Sequence, residues 1–171
     1  DRERGAVAGT LAIMAGGSPE AFARAEPVLS AMGRPTHVGP AGCGQLAKLA
    51  NQAIVASTIV TVAEAITFVE RGGADPAKVR EALLGGFADS TILKQHALRM
   101  IERDFAPGGP AKYQVKDTGT ALSHAATLGL TLPVLSLVDG LFSEMVAEGD
   151  GDLDHSAVIR ALQRRNGLPL G

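Results

Sequence analysis

The chain has 171 residues, of which 46% are hydrophobic and 20% are charged, as in a folded globular protein. Its formal net charge of −2 gives no basic surface of the kind that nucleic acid or an anionic membrane attracts, so we expect neither partner. Aromatic residues make up only 4%, which favours close-packed helices with a core of Ala, Val, Ile and Leu. The single cysteine, Cys43, excludes an intrachain disulfide and favours a cytoplasmic location.

The first 40 residues predict a strand, a helix and a second strand. Residues 9–15 are apolar and flanked by glycines, which indicates a short buried strand. Ser18 is a good N-cap and Pro19 suits the first helical position, so a helix is predicted to about Met32. "GRPTHVG" then predicts the second strand. Since nothing precedes the first strand to pair with it, we expect the chain to start inside a larger fold, with this segment as the tail of an α/β unit.

Beyond this segment the pattern is helical. An apolar-periodic run from about Gly42 to Arg71 predicts one long helix, buried around most of its circumference because apolar residues lie on nearly every side. Its uncharged part, 49–63, is shorter than the roughly 20 residues of a bilayer span, which favours a core helix. Five further helices are predicted at about 76–84, 91–104 (capped by Asp89 or Ser90), 113–128, from Pro133 to "EGDGD", and 154–165.

A glycine cluster precedes the long helix and fits a dinucleotide-binding pattern, Gly42-x-Gly44-x-x-Ala47. An acidic residue, Glu64, follows Gly44 by 20 positions, but that pattern requires the acid at the end of a second strand. Glu64 lies within the predicted helix instead. The glycines are therefore interpreted as allowing another backbone or a substrate to approach the start of this helix.

Lys48, Asn51 and Gln52 lie at positions i, i+3 and i+4, on one face of the predicted helix. Desolvation and the positive helix end both disfavour the ammonium, so we expect the pKa of Lys48 to be lowered. Such a lysine can exchange a proton with a substrate hydroxyl that a neighbouring amide holds. The structural alternative is a lysine that extends to solvent at the helix end.

The other candidate residues have structural interpretations. Lys116 and Asp117 are adjacent early in a helix, where an acid is common and such a pair is usually solvated. The segment from Asp150 resembles a calcium loop but has His155 where glycine is needed and Ala161 where glutamate is needed, so no calcium site is predicted. No metal-ligand spacing is found among the four histidines, which are His37, His96, His124 and His155.

Several motifs, in order, resemble the β-hydroxyacid dehydrogenase family: "GTLAIMAGG", "GCGQLAKLANQ", "GGFADSTIL", "RDFAPG" and the "KD" of a later helix. This family includes 3-hydroxyisobutyrate dehydrogenase and 2-hydroxy-3-oxopropionate (tartronate semialdehyde) reductase, with 6-phosphogluconate dehydrogenase more distant. The resemblance implies a Rossmann domain that binds NAD or NADP, followed by an all-helical substrate-binding and dimerisation domain. We therefore expect a mainly α fold, with residues 1–40 as the end of the Rossmann domain and 41–171 as the helical domain.

The resemblance also implies roles for individual residues. Lys48 matches the family's catalytic lysine, and Asn51 matches an asparagine that binds the substrate. Lys116 matches a lysine near the nicotinamide end of the cofactor, and Asp117 matches a neighbouring polar residue of the substrate pocket. One position departs from the family: Gly109 replaces the usual aromatic residue, eight positions before Asp117, so a larger pocket is expected there.

The function implied is hydride transfer between NAD or NADP and a short β-hydroxy acid, such as 3-hydroxyisobutyrate or the 2-hydroxy-3-oxopropionate/glycerate pair. We expect a homodimer or higher homo-oligomer through the helical domain. We also expect the isolated chain to be inactive, because most of the nucleotide-binding domain lies outside it. The alternatives are a non-catalytic helical dimerisation module and a relative of the imine reductases, although those enzymes generally lack the lysine.

Overall fold

The computed structural model describes residues 2–170, with side chains from residue 5 onward. It separates into two compact units, the first ending at Asn51 and the second beginning at Gln52. The predicted fold class, mainly α with a strand–helix–strand segment ahead of the helices, is confirmed. The predicted domain division at residue 40 stays a prediction.

The first unit contains the predicted strand–helix–strand segment. Its strands are parallel neighbours whose register runs from the pair Leu11–Gly33 to the pair Gly16–Gly39. A short helix before the first strand was not predicted, because its six residues contain too few apolar side chains to show a helical stripe. The elements are α1 (Arg2–Val7), β1 (Leu11–Gly16), α2 (Pro19–Ser30), β2 (Gly33–Gly39) and the start of α3 (Cys43–Arg71).

Capping confirms the predicted start of α2. The Ser18 hydroxyl accepts a hydrogen bond from the backbone N–H of Ala21 at 3.2 Å, and Pro19 occupies the first turn, where its missing N–H costs nothing. Burial is nevertheless slight in this unit. Between residues 5 and 51, the part of it whose side chains are described, Gly44 is the only buried residue.

The second unit contains the remaining helices, and all five predicted after α3 are confirmed. Ser90, and not Asp89, caps the second of them, because its hydroxyl accepts from the backbone N–H of Leu93 at 2.9 Å. Asp89 instead forms an ion pair with Lys94 at 2.7 Å. The elements are α4 (Pro76–Leu83), α5 (Thr91–Glu102), α6 (Ala111–Thr127), α7 (Pro133–Met145), a π-helical turn (Val146–Asp150), a 3-10 turn (His155–Ala157) and α8 (Val158–Arg165).

The core of the second unit is apolar and almost free of aromatic rings, as the composition predicts. Its fully buried apolar side chains come from helices α3, α5, α6, α7 and α8 and from the 3-10 turn, and Phe142 of α7 is the largest of them. The others of greatest volume are Ile59, Met100, Met145, Ile159 and Val158.

The expectation that α3 is buried on nearly every side is wrong for the single chain. Its buried face carries the core residues Ala56, Ile59 and Ala63, but Ile54 is 67% exposed and Phe68 is 78% exposed. The expectation failed because an all-apolar circumference does not reveal which sides have a partner. By length and composition alone α3 could cross a bilayer, with a mean hydropathy of 1.7 in its most apolar window, although core helices pass the same test.

Candidate active site

The start of α3 lies against the end of β1 in the first unit, and two glycines make this approach possible. A Cβ atom on Gly44 would lie 2.7 Å from the carbonyl oxygen of Met14. A Cβ atom on Gly16 would lie 2.7 Å from the carbonyl oxygen of Pro40. Both distances are too short for real side chains, so the glycines serve backbone packing. For Gly44, this confirms the interpretation that the glycine cluster lets another backbone approach the start of the helix.

Lys48 and Asn51 follow in the first turns of α3, three residues apart and therefore on one helical face. Both are half-buried in the first unit. An ammonium group and a side-chain amide are thus presented together from a rigid helix. Rigid support of this kind is what proton transfer and substrate orientation require.

Asp117 lies in the second turn of α6, and it is more than a solvated surface acid. Its Oδ2 accepts a hydrogen bond from Nε2 of Gln52 at 2.6 Å, within the second unit. Sequence reasoning missed this pair because 65 residues separate the two side chains, although Gln52 shares the helical face of Lys48. The neighbouring Lys116 is exposed.

Helix α6 is held firmly at its N-terminal end. The backbone N–H of Ala111 donates to the carbonyl of Leu153 at 2.9 Å, and that of Lys112 donates to the carbonyl of Gly151 at 3.0 Å. These bonds satisfy donors that have no partner within the helix. About two turns further on, the buried Thr118 donates its hydroxyl proton to Oδ1 of Asp139 on α7 at 2.5 Å. Lys116 and Asp117 therefore project from a fixed helix.

Asp154 fastens the segment before α6 to the turn before α8. Its Oδ2 accepts from the backbone N–H groups of Gly108 and Gly109, both at 3.0 Å, and its Oδ1 accepts from the N–H of Ser156 at 3.0 Å and from the Ser156 hydroxyl at 2.6 Å. Burial alone would raise the pKa of Asp154, but these hydrogen bonds outweigh it and hold the pKa below its usual value. The charged carboxylate thus connects the loop before α6 to the turn before α8 through four hydrogen bonds.

The larger pocket expected at Gly109 is not what the structure shows. A Cβ atom on Gly109 would lie 3.2 Å from Cε1 of the His155 imidazole. The space beside this glycine is therefore filled by the histidine ring. The expectation was wrong because the sequence did not indicate that His155, 46 positions later, packs against this loop.

Two histidines that are distant in sequence meet in the second unit. Nε2 of His96 on α5 lies 2.9 Å from Nε2 of His155, and Nδ1 of His155 lies 3.4 Å from Oε1 of Gln114 on α6. Burial and the neighbouring His155 lower the pKa of His96 to about 4. Burial also lowers the pKa of His155. Spacing along the chain gave no signal for this pair, because its members lie on elements 59 residues apart.

The segment that resembles a calcium loop uses its carboxylates for other bonds. Asp150 accepts from Nε of Arg160 at 3.0 Å and from Nη2 of Arg164 at 2.7 Å. Asp152 pairs with the ammonium of Lys112 at 2.5 Å. With Asp154 bound to backbone donors as well, each acid of the segment has a different structural partner.

Comparison with known proteins identifies the class to which this fold and these motifs belong. Residues 42–162 match the family described as "NAD-binding of NADP-dependent 3-hydroxyisobutyrate dehydrogenase". Residues 2–43 match the "NAD binding domain of 6-phosphogluconate dehydrogenase". Both descriptions are of families of NAD(P)-dependent dehydrogenases, and the first covers most of the chain.

Individual relatives narrow this class. The chain is 46% identical over 162 residues to 2-hydroxy-3-oxopropionate reductase of Escherichia coli, covering 94% of this chain and 56% of the relative. The solved structure of Mycobacterium tuberculosis 3-hydroxyisobutyrate dehydrogenase with L-serine is 32% identical, with a TM-score of 0.84, over 94% of this chain and 57% of that one. A 3-hydroxyisobutyrate dehydrogenase from Salmonella typhimurium gives 28% identity and a TM-score of 0.83, over 90% of this chain and 55% of that one.

The chain belongs to the β-hydroxyacid dehydrogenase family, as its ordered motifs predicted. It spans about half the length of the curated relatives it matches.

Proposed function

We propose that the protein containing this chain transfers a hydride between NAD or NADP and the hydroxyl-bearing carbon of a short β-hydroxy acid. The proposed substrates are 3-hydroxyisobutyrate and the 2-hydroxy-3-oxopropionate/glycerate pair. The observation that carries the proposal is the half-buried face of α3 that presents Lys48 and Asn51 together, within the motif that marks the family. The names of the relatives support the substrate class.

Lys48 is the general acid–base in this proposal. In the direction of oxidation, the substrate O–H bond breaks and its proton passes to Nζ of Lys48, while the C–O bond becomes a carbonyl. When bound, the nicotinamide of NAD or NADP would supply the acceptor for the hydride that leaves the substrate carbon. The Asn51 amide orients the reacting oxygen, so that the proton and the hydride leave in the correct geometry.

Asp117 and Lys116 have supporting roles in the second unit. The hydrogen bond from Gln52 fixes one carboxylate oxygen of Asp117, so the carboxylate can bind a substrate hydroxyl in one orientation. Lys116 presents an exposed ammonium that suits the anionic or polar groups of a dinucleotide. These roles follow the residues' match to family motifs.

The cofactor fits this chain only in part. Gly44, the second glycine of the apparent dinucleotide pattern, packs against backbone atoms of β1 and leaves no cradle for a phosphate. The exposed Lys116 is the group that this chain offers toward the cofactor. We therefore propose that the isolated chain is inactive, which calorimetric titration with NAD and NADP tests; micromolar binding of either would contradict it.

Replacement of Lys48 in the full-length parent tests the catalytic proposal. We expect Lys48→Ala to lower kcat by about 10²–10⁴-fold, the usual contribution of a positioned acid–base. Asn51→Ala should lower kcat less and raise KM. The matched control is Lys94→Ala, which removes a surface ammonium paired with Asp89. Turnover of Lys48→Ala near that of wild type would overturn the proposal.

The alternatives predict different results with the same protein. A non-catalytic dimerisation module would turn over no hydroxy acid, and an imine-reductase-like enzyme would reduce cyclic imines in preference to β-hydroxy acids or their carbonyl products. A panel of both substrate classes, with NADH and NADPH, separates the three. The lysine favours the first proposal, since the imine reductases generally lack it.

We also propose that the helical domain forms a homodimer or a higher homo-oligomer. The exposed apolar side chains Ile54 and Phe68 on α3, and Val134 and Leu137 on α7, are each more than 60% exposed in the single chain. Sedimentation should show at least a dimer, and Phe68→Glu should weaken it. A monodisperse monomer would contradict the proposal. A cytoplasmic location is proposed with it, on the support of the single cysteine.

A further inference from the structure

The His96–His155 pair is placed like two ligands of one ion. The two rings come from α5 and from the turn before α8, and their Nε2 atoms face each other at 2.9 Å. The carboxylate of Asp154 lies close by: one ligand atom from each of the three residues falls within 4.8 Å of the others. Such convergence of two imidazoles and an acid is independent of the proposed active site.

Hydrogen bonding defines which ring nitrogens are free to bind. Oε1 of Gln114 can only accept a hydrogen bond, so the proton of His155 is assigned to Nδ1, which lies 3.4 Å away. The Nε2 lone pair of His155 is then directed at His96. Metal-binding histidines typically donate their second ring N–H to an outer partner in this way. Gln114, only 3% exposed, is that partner here.

The spacing needs little adjustment to admit a cation. With metal–nitrogen distances near 2.0–2.1 Å, two imidazole nitrogens of a tetrahedral site lie about 3.4 Å apart. Opening the pair by about half an ångström therefore makes room for the ion. Imidazole ligands select zinc and its neighbours cobalt, nickel and copper over magnesium or calcium.

One carboxylate and one guanidinium lie beside the pair. The carboxylate of Asp154 contributes a negative charge, and Arg99 of α5 lies 3.5 Å from it and partly neutralises it. Without an ion His96 donates its Nε2 proton to His155, so binding through both Nε2 atoms would shift the His96 proton to Nδ1, a buried nitrogen with no hydrogen-bond partner among the described residues. Neutral nitrogen ligands beside a carboxylate are a common donor set for zinc.

We propose that His96 and His155 bind a zinc-class divalent cation through their Nε2 atoms, beside the Asp154 carboxylate, whose oxygens keep their four hydrogen bonds and which contributes its negative charge. The ion would tie α5 to the turn that precedes α8. This site was not predicted from the sequence, where the histidines showed no ligand spacing.

Titration of the full chain with Co²⁺ after removal of metals by a chelator tests the proposal. We expect one equivalent of Co²⁺ to give visible d–d absorption that Zn²⁺ abolishes. His96→Gln and His155→Gln should each lose this spectrum, and Gln114→Leu should weaken binding by about tenfold. His124→Gln is the matched control, because His124 is exposed and outside the cluster.

Two results would overturn the proposal. One is the absence of a Co²⁺ spectrum in the wild type, which would mean that the histidines share only a proton. The other is binding that survives both histidine substitutions, which would mean an adventitious ion only. If these variants fail to fold, X-ray absorption of the wild-type Zn²⁺ complex decides instead: scattering from two imidazoles supports the site, and its absence refutes it.

Discussion

The two units of the chain are stabilised in different ways. In the first, a parallel pair of strands and one flanking helix leave every side chain from residue 5 to 51 at least partly accessible. In the second, the helices share a core in which Phe142, Met100 and Ile59 are fully buried. Two-stranded sheets are marginal on their own, because they bury too little apolar surface to offset the chain entropy they lose. The buried apolar side chains therefore lie in the second unit. The proposed catalytic residues Lys48 and Asn51 lie in the first unit, which has little core of its own.

The largest expected effect comes from matched phenylalanine substitutions in the two units. Phe142→Ala should lower the free energy of unfolding by about 3–5 kcal/mol, because it leaves a cavity in the core of the second unit. Phe22→Ala should cost only about 1 kcal/mol, since Phe22 is half-buried and its main ring contact is with His37, 5.1 Å between centroids. Urea denaturation followed by circular dichroism measures both. Equal losses would show that the units do not differ as described.

A smaller effect should follow acidification of the second unit. The pKa of His96 is about 4 in the folded chain, against about 6.5 when unfolded, so the unfolded chain binds the proton first. Stability is then fully present above pH 6.5 and falls as the pH drops toward 4, by on the order of 2–3 kcal/mol. Urea midpoints measured with a chelator from pH 4 to 7 test this.

The control for acidification is His96→Gln, whose stability should depend less on pH across this range. His124→Gln should keep the wild-type slope. A wild-type stability that stays constant from pH 7 to 4 would contradict the burial of the histidine pair.

The smallest effect should come from glycine-to-alanine substitutions, which we expect to raise stability in the second unit and lower it in the first. Gly140→Ala in α7 should stabilise the second unit by about 0.5–1 kcal/mol, because open space surrounds this glycine and alanine favours a helix. Gly44→Ala should destabilise the first unit, because its methyl group would meet the carbonyl of Met14. Hydrogen exchange resolved along the chain measures both. Faster exchange around β1 in Gly44→Ala, with unchanged α7, is expected.

Local signals in the sequence were enough to predict most of the fold. Ser18 before Pro19, Asp75 before Pro76 and the glycine pairs after long apolar runs each determine a helix end through bonds among close neighbours. The family could also be predicted from the sequence, because its motifs occur along the chain in a fixed order. Features of this kind need no knowledge of which helices pack together.

Contacts between distant segments could not be predicted in the same way. The bond from Gln52 to Asp117, the pairing of His96 with His155 and the packing of His155 on Gly109 all join residues more than 40 positions apart. Each depends on how the helices pack, which periodicity does not specify. For the same reason the exposed side of α3 was missed. The roles of Lys48, Asn51, Lys116 and Asp117 remain predictions.

The carboxylate of Asp154 has a consequence for how the loop before α6 can vary. It holds the loop through the backbone N–H groups of Gly108 and Gly109, which every amino acid except proline possesses. The path of the loop is therefore fixed by a carboxylate from another segment of the chain and not by the loop's own side chains. A substitution here can therefore keep the bonds that hold the main chain, provided that the side chains of Arg99 and His155 move to make room for the new Cβ atom.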